Sequence, residues 1–292
     1  MNIKKVTKGI VLGGGGQVGR AWLAGLVSQL IETGVKLQDS DVIIGTSAGS
    51  QIGAQIALGT LDLKNAPTPP EKYVDFSTVT SDAFTNLYTM LADAALAPNP
   101  VKVLKEVGKC ALNADTMSED QAMHRLSYLN GYNWPENFKT TAVSALTGKF
   151  HLLDKDSDIT LKLAVASSSA LPGVFPPVSI NGDRYMDGGV RSMINADLAI
   201  GNELVLVVSC FSLEVSSAHT AQDILNNKIL EEIQTLKENG STVKLISPNS
   251  EFKKLTKNGT EMLNLSLMPD AWHIGRNQAL DEGKDIDVRW MM

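Results

Sequence analysis

The chain has 292 residues, 43% of them apolar and 20% charged, with a net charge of -6 and a pI near 5.3. That length buries a full core within one large α/β domain spanning residues 1–292. The acidic balance argues against a nucleic-acid partner, which calls for a basic patch. Two cysteines, Cys110 and Cys210, have neither CxxC nor metal-ligand spacing and read as free, buried thiols in a reducing compartment. No apolar run reaches the length of a membrane span, and Ile10-Val11-Leu12 is cut off by four glycines before it could serve as a secretory leader. A cytoplasmic location is expected, with export that needs no cleaved leader left open.

Gly9 to Leu12 reads as a short buried strand that runs into Gly13-Gly14-Gly15-Gly16-Gln17-Val18-Gly19. A helix over 17–33 follows, apolar almost all round and stopped by Gly34. Backbone N–H groups of a glycine loop at a helix N-terminus form a ready anion site. The spacing Gly14-x-Gly16-x-x-Gly19 also matches the dinucleotide fingerprint, the sharpest competing reading. That fingerprint asks for an acid at the end of the second strand, and here Asp41 stands at its start.

The second strand, Val42-Ile43-Ile44, ends in Gly45-Thr46-Ser47-Ala48-Gly49, the G-x-S-x-G pattern of a nucleophile elbow. A serine at a sharp strand-to-helix turn is lifted clear of the sheet, and the amide of Ala48 after it faces whatever the serine attacks. Small residues two before and two after, Gly45 and Gly49, let strand and helix approach. A helix from Ser47 to about Leu58 is expected.

Pro67, Pro69 and Pro70 then break the chain, and residues 60–131 carry helical periodicity with no obvious strand. Phe84, Leu87, Tyr88, Leu91 and Ala95 form one stripe; Val101, Leu104 and Val107 form the next. Ser118-Glu119-Asp120-Gln121 has the spacing of a capping box. This block is a helical insertion, read either as extra packing helices or as a lid over an apolar pocket.

Alternation resumes with a hairpin over 139–153 around Thr147-Gly148, a helix over 161–170, and a second hairpin around Asn181-Gly182-Asp183. The latter delivers Asp187-Gly188-Gly189, which taken alone is as well explained by an Asx-turn as by catalysis. Strands over 203–209 and 242–246, a helix over 221–238 and a tail helix over 270–283 complete the pattern. The expected fold is an α/β three-layer αβα sandwich, its mostly parallel sheet covered by helices on both faces.

Taken in order, the glycine loop, the serine elbow and Asp187-Gly188-Gly189 resemble the motifs of the patatin-like phospholipases. The run Ala166-Ser167-Ser168-Ser169-Ala170-Leu171-Pro172-Gly173 and the Tyr185-Met186-Asp187-Gly188-Gly189 stretch are similar to that family's approach to its catalytic aspartate. The resemblance spans about residues 7 to 210. It implies a Ser47–Asp187 dyad: Asp187 takes the Ser47 proton, Ser47 attacks an ester carbonyl, and amides of Gly14, Gly15 and Gly16 hold the oxyanion. Gly19, Gly45, Gly49, Gly188 and Gly189 support the motifs. It further implies a lipid or lipid-like ester as partner, transient contact with a membrane surface, no cofactor and no metal. The chain departs from the pattern at Val18, where the family often has Arg or Lys; Arg20 stands two positions later.

Two rival readings stand beside this one. A Ser-Asp-His hydrolase would use His219 or His273 as base, the remaining histidines being His124 and His151. A dinucleotide-binding module would use the glycine loop. Head group, chain length and oligomeric state are not written in the motifs.

Overall fold

The structure, a computed structural model, describes residues 6–68 and 81–292. Pro69, Pro70 and Glu71 of the insertion lie outside the described residues, as does the side chain of Phe84. Strands β1 (Lys8–Leu12), β2 (Val42–Gly45), β3 (Phe138–Ser144), β4 (Phe150–Leu153), β5 (Val178–Ile180), β6 (Asp183–Asp187), β7 (Leu204–Val208) and β8 (Thr242–Ile246) form one sheet. The strands β3, β2, β1, β7 and β8 run parallel in that order; β4, β5 and β6 add antiparallel pairs at the β3 end.

Alternation along the central strands explains the layers. Ile10 and Leu12 of β1, with Leu204, Leu206 and Val208 of β7, face one side; Val11, Val205 and Val207 face the other. On the first face lie α1 (Gly16–Glu32), α2 (Ala48–Leu58), α6 (Leu161–Ser168), α8 (Ser250–Leu255) and α9 (Met268–Glu282). On the second lie α7 (Ala221–Glu238), α3 (Ser81–Leu96) and α4 (Pro100–Asn113). The three-layer expectation therefore holds. Within the insertion, Leu87 and Leu91 of α3 and Leu104 and Val107 of α4 pack on Val143 and Met186 of the sheet, so these two helices bury an apolar face. The capping box at Ser118 opens α5 (Glu119–His124), with both of its reciprocal hydrogen bonds formed.

The all-round apolar character of α1 has its cause in two neighbours. One side meets the sheet; the other crosses α9 at Gly25 and Gly275, where a Cβ on either glycine would strike the carbonyl of Trp272 or Trp22. Trp22 also packs on Phe252 of α8, ring centroids 5.2 Å apart. Among the described residues no helix is long and apolar enough to cross a membrane. Cys210 is buried as expected, but Cys110 is exposed: its place on α4 turns it away from the sheet.

The arrangement around β3 positions the site. Ile43 N–H donates to the Asn137 carbonyl, and Ala145 N–H donates to the Arg184 carbonyl. Residues eight apart on a strand point their backbone groups the same way, so β2 and β6 share one edge of β3. Ser144 N–H points to the other edge, where it meets Lys149 in the β4 hairpin. Gly45 ends β2 opposite Thr140, and Asp187 ends β6 opposite Ala142. The two strands thus run toward each other and stop two β3 residues apart.

Candidate active site

Ser47 occupies the turn between β2 and α2 with φ 54° and ψ -118°. A non-glycine residue there carries about 1–3 kcal/mol of strain, which the surrounding packing must hold. The flanking glycines are required by contact. A Cβ on Gly45 would lie 2.5 Å from the Gly49 carbonyl, and one on Gly49 would strike the Leu12 carbonyl. The backbone of Ser47 is clamped from the end of α6 and from α2: its N–H donates to Ser168 Oγ at 3.0 Å, and its carbonyl accepts from Ser169 Oγ at 3.3 Å and from Ser50 Oγ at 2.6 Å. The serine side chain stays partly exposed while the residues around it are buried.

Asp187 is 1% exposed. Its Oδ1 accepts from Gly189 N–H at 2.7 Å, the Asx-type turn expected of Asp-Gly-Gly, while Oδ2 has no hydrogen-bond donor. Burial pushes its pKa up to about 7; the nearby Ser47 hydroxyl and the Gly189 amide oppose the rise. The Ser47 hydroxyl is close enough to favour the charged carboxylate without forming a hydrogen bond of ordinary geometry. The Asx-type turn thus occupies Oδ1 and leaves Oδ2 open.

The glycine loop lies against the elbow: a Cβ on Gly14 would sit 3.3 Å from Ser47 Cβ. Gly13 N–H donates to Val208 and Gly14 N–H to Met193, the latter at 2.8 Å. Gly14, expected among the oxyanion donors, thus has another acceptor. The amides of Gly15, Gly16 and Ala48 have no protein acceptor among the described residues. They stand at the N-termini of α1 and α2, where partial positive charge gathers. Gly15 is held by Cys210, whose Sγ a Cβ there would approach to 2.7 Å; Gly16 needs its positive φ of 59°. Gly19 packs on the same cysteine, and Gly188 packs against Thr141.

Residues that the motifs did not mark tie the two halves together. Asn195, fully buried at φ 59°, donates from Nδ2 to Thr46 Oγ1 at 3.0 Å and to the Ser192 carbonyl at 2.7 Å, and lies 3.4 Å from the Gly188 carbonyl. Thr46 Oγ1 also pairs with Thr141 Oγ1 at 3.0 Å. The loop carrying Asn195 and Met193 is anchored by Glu232 of α7, whose Oε2 accepts from Ser192 Oγ and the Ala196 amide. An asparagine eight residues after Asp187 was the only available signal. None of the histidines hydrogen-bonds Ser47 or Asp187: His124, His219 and His273 are exposed, and His151 stacks edge-on against Tyr185. Gly45, not an acid, ends β2, and Asp41 at its start accepts from Lys8 N–H, so the ribose contact of a dinucleotide site is missing.

The serine elbow, the buried aspartate and the glycine loop thus come together at the ends of β2 and β6, beside the N-termini of α1 and α2. Residues 10–200 match the family of patatin-like phospholipases, and the chain belongs to that family. Among curated proteins none matches the sequence. Similar solved structures include VipD from Legionella pneumophila, at 12% identity and a TM-score of 0.44 over 96% of this chain and 67% of that one. Another is the type III effector protein ExoU, at 13% identity and a TM-score of 0.36 over 95% of this chain and 53% of that one.

Proposed function

We propose that the protein is a lipid acyl hydrolase working through a Ser47–Asp187 dyad. The observation that carries this reading is the open Oδ2 of buried Asp187 beside the hydroxyl of the strained elbow serine. Ionised Asp187 accepts the Ser47 proton as Oγ forms its bond to the ester carbonyl carbon. Negative charge moves to the carbonyl oxygen, which the amides of Gly15, Gly16 and Ala48 receive. Collapse of this intermediate expels the alcohol, which takes the proton from Asp187 and leaves the acyl chain on Ser47. Water, deprotonated by Asp187, then releases the fatty acid by the same steps. A carboxylate with a pKa of about 7 suits this exchange at neutral pH better than one near its ordinary value of 3.8.

In this reading no cofactor or metal takes part, the substrate is met at a lipid surface, and residues 1–292 act as one domain. The test is labelling with a fluorophosphonate followed by a panel of acyl esters. The wild type should label once and hydrolyse esters. Ser47→Ala should do neither, and labelling that persists in that variant would remove Ser47 from its role.

A further inference from the structure

Two arginines near the site have no carboxylate partner among the described residues. Arg20 lies on α1 one turn after Gly16, and Arg125 closes α5 in the insertion. Nε of Arg20 donates to Gln17 Oε1 at 3.2 Å, the sole hydrogen bond or ion pair of either guanidinium among the described residues. Arg125 instead lies over Phe175, its guanidinium carbon 3.8 Å from the ring centroid. Every other arginine is provided for: Arg184 donates to the Pro177 carbonyl, Arg191 pairs with Asp197, Arg276 with Glu32 and Arg289 with Asp287.

The pair is partly buried and mutually repulsive. Burial and the charge of Arg20 bring Arg125 down to about 10, so it remains charged at neutral pH, and burial lowers Arg20 as well. Tyr128, whose hydroxyl feels the charge of both arginines, connects to the elbow. Its hydroxyl donates to Gln51 Oε1 at 3.4 Å, Gln51 Nε2 donates to Ser169 Oγ at 3.3 Å, and Ser169 Oγ donates to the Ser47 carbonyl. Gln51 is one helical turn, about 5–6 Å, beyond Ser47. Arg20, one turn into α1 from Gly16, and Tyr128, bonded to Gln51 one turn into α2 from Ser47, thus stand about one helical turn from the loop and the elbow.

Resting on the acyl-hydrolase reading, we propose that Arg20 and Arg125 form a head-group subsite for the phosphate of the substrate lipid, and that a phosphomonoester lipid is preferred to a choline or uncharged one. Guanidinium forks bind phosphate oxygens bidentately, and two of them match a dianion. A choline cation just beyond the phosphate would meet the same two positive charges. A neutral glyceride would leave both unpaired.

The test uses ether-linked lipids, which have no cleavable ester, with the full chain and calorimetry below the critical micelle concentration. Ether-linked lysophosphatidate should bind at least tenfold more tightly than the lysophosphatidylcholine and monoacylglycerol of the same chain. Arg20→Gln and Arg125→Gln should each erase most of that preference, and Arg20→Lys and Arg125→Lys should keep more of it. A preference that is absent, or unchanged in the Gln variants, would overturn the proposal. So would inorganic phosphate that binds as tightly as the lipid, which would make this a site for the free ion. Because no ester is cleaved, loss of the head-group preference with intact fluorophosphonate labelling removes only the subsite. An arginine-dependent preference without ester hydrolysis removes only the catalytic reading.

Discussion

Nδ2 of Asn195 lies 3.0 Å from the hydroxyl of Thr46, and the same amide reaches the carbonyl of Gly188. One buried side chain therefore spans the residue before Ser47 and the residue after Asp187. Asn195→Gly keeps the positive φ while deleting the amide, so backbone strain does not confuse the result. Loss of a buried hydrogen bond costs about 1–3 kcal/mol, and kcat on a soluble acyl ester should fall roughly ten- to hundredfold. Steady-state kinetics on the variant, with thermal unfolding measured in parallel, checks this; a kcat equal to wild type would deny Asn195 any positioning role.

Glu232 should reveal itself through pH. Burial and the charge of Asp197 push its carboxyl up to about 7, with Oε1 left without a partner. A carboxyl with a raised folded-state pKa binds its proton more tightly folded than unfolded. Its contribution is then fully present below about 4.5 and lost as pH rises through about 7. Glu232→Gln keeps an acceptor for Ser192 and Ala196 and removes the ionisation. It should unfold at a higher temperature than wild type at pH 8, with the difference shrinking toward pH 5. Glu232→Ala, which releases the loop, should lose both stability and turnover.

How much of this was legible in the sequence depends on whether the cause is local. The elbow, the glycine loop and both hairpins were readable because glycine at Gly45, Gly16, Gly148 and Gly182 marks sharp turns beside apolar runs. The meeting of β2 and β6 on one edge of β3 was not, since it depends on pairing between strands about 140 residues apart. For the same reason the bond from Gly14 to Met193 was hidden, along with the roles of Asn195 and Glu232. The six-residue helix α8, with charged residues at Glu251, Lys253 and Lys254, gave no periodic signal. Cys110 was misjudged because a cysteine's apolar character says nothing about which side of a helix it occupies.

Gly15 offers a test of the oxyanion role proposed for its loop. A Cβ there meets Cys210, so Gly15→Ala must shift the loop and its amides. Loss of one donor costs about 3 kcal/mol of transition-state stabilisation, a fall in kcat of more than a hundredfold. Gly59→Ala is the control: Gly59 has positive φ and open space around it, far from the loop in sequence. It should lose a little stability and keep turnover. Equal losses of turnover in the two variants would mean that strain, not donor position, is responsible.

In the proposed dyad the pH dependence of turnover follows from Asp187. Only the ionised carboxylate can accept the serine proton, and its pKa is about 7. With a neutral, non-titrating ester, kcat/KM should fall tenfold per pH unit well below 7 and level off above about 8. A flat profile from pH 5 to 8 would mean that a group of ordinary carboxylate pKa, or none, controls the reaction.

The most direct test of the dyad compares bases. Asp187→Asn keeps the shape of the side chain and removes the proton acceptor, while His219→Ala and His273→Ala remove the two imidazoles that a triad could use. All three, with Ser47→Ala, are assayed on one soluble acyl ester after circular dichroism confirms that each is folded. Asp187→Asn should fall by several orders of magnitude, to about the level of Ser47→Ala, and each histidine variant should stay within about tenfold of wild type, roughly 1.4 kcal/mol. A folded histidine variant that drops to the level of Ser47→Ala, or an Asp187→Asn variant that keeps wild-type turnover, would contradict the dyad.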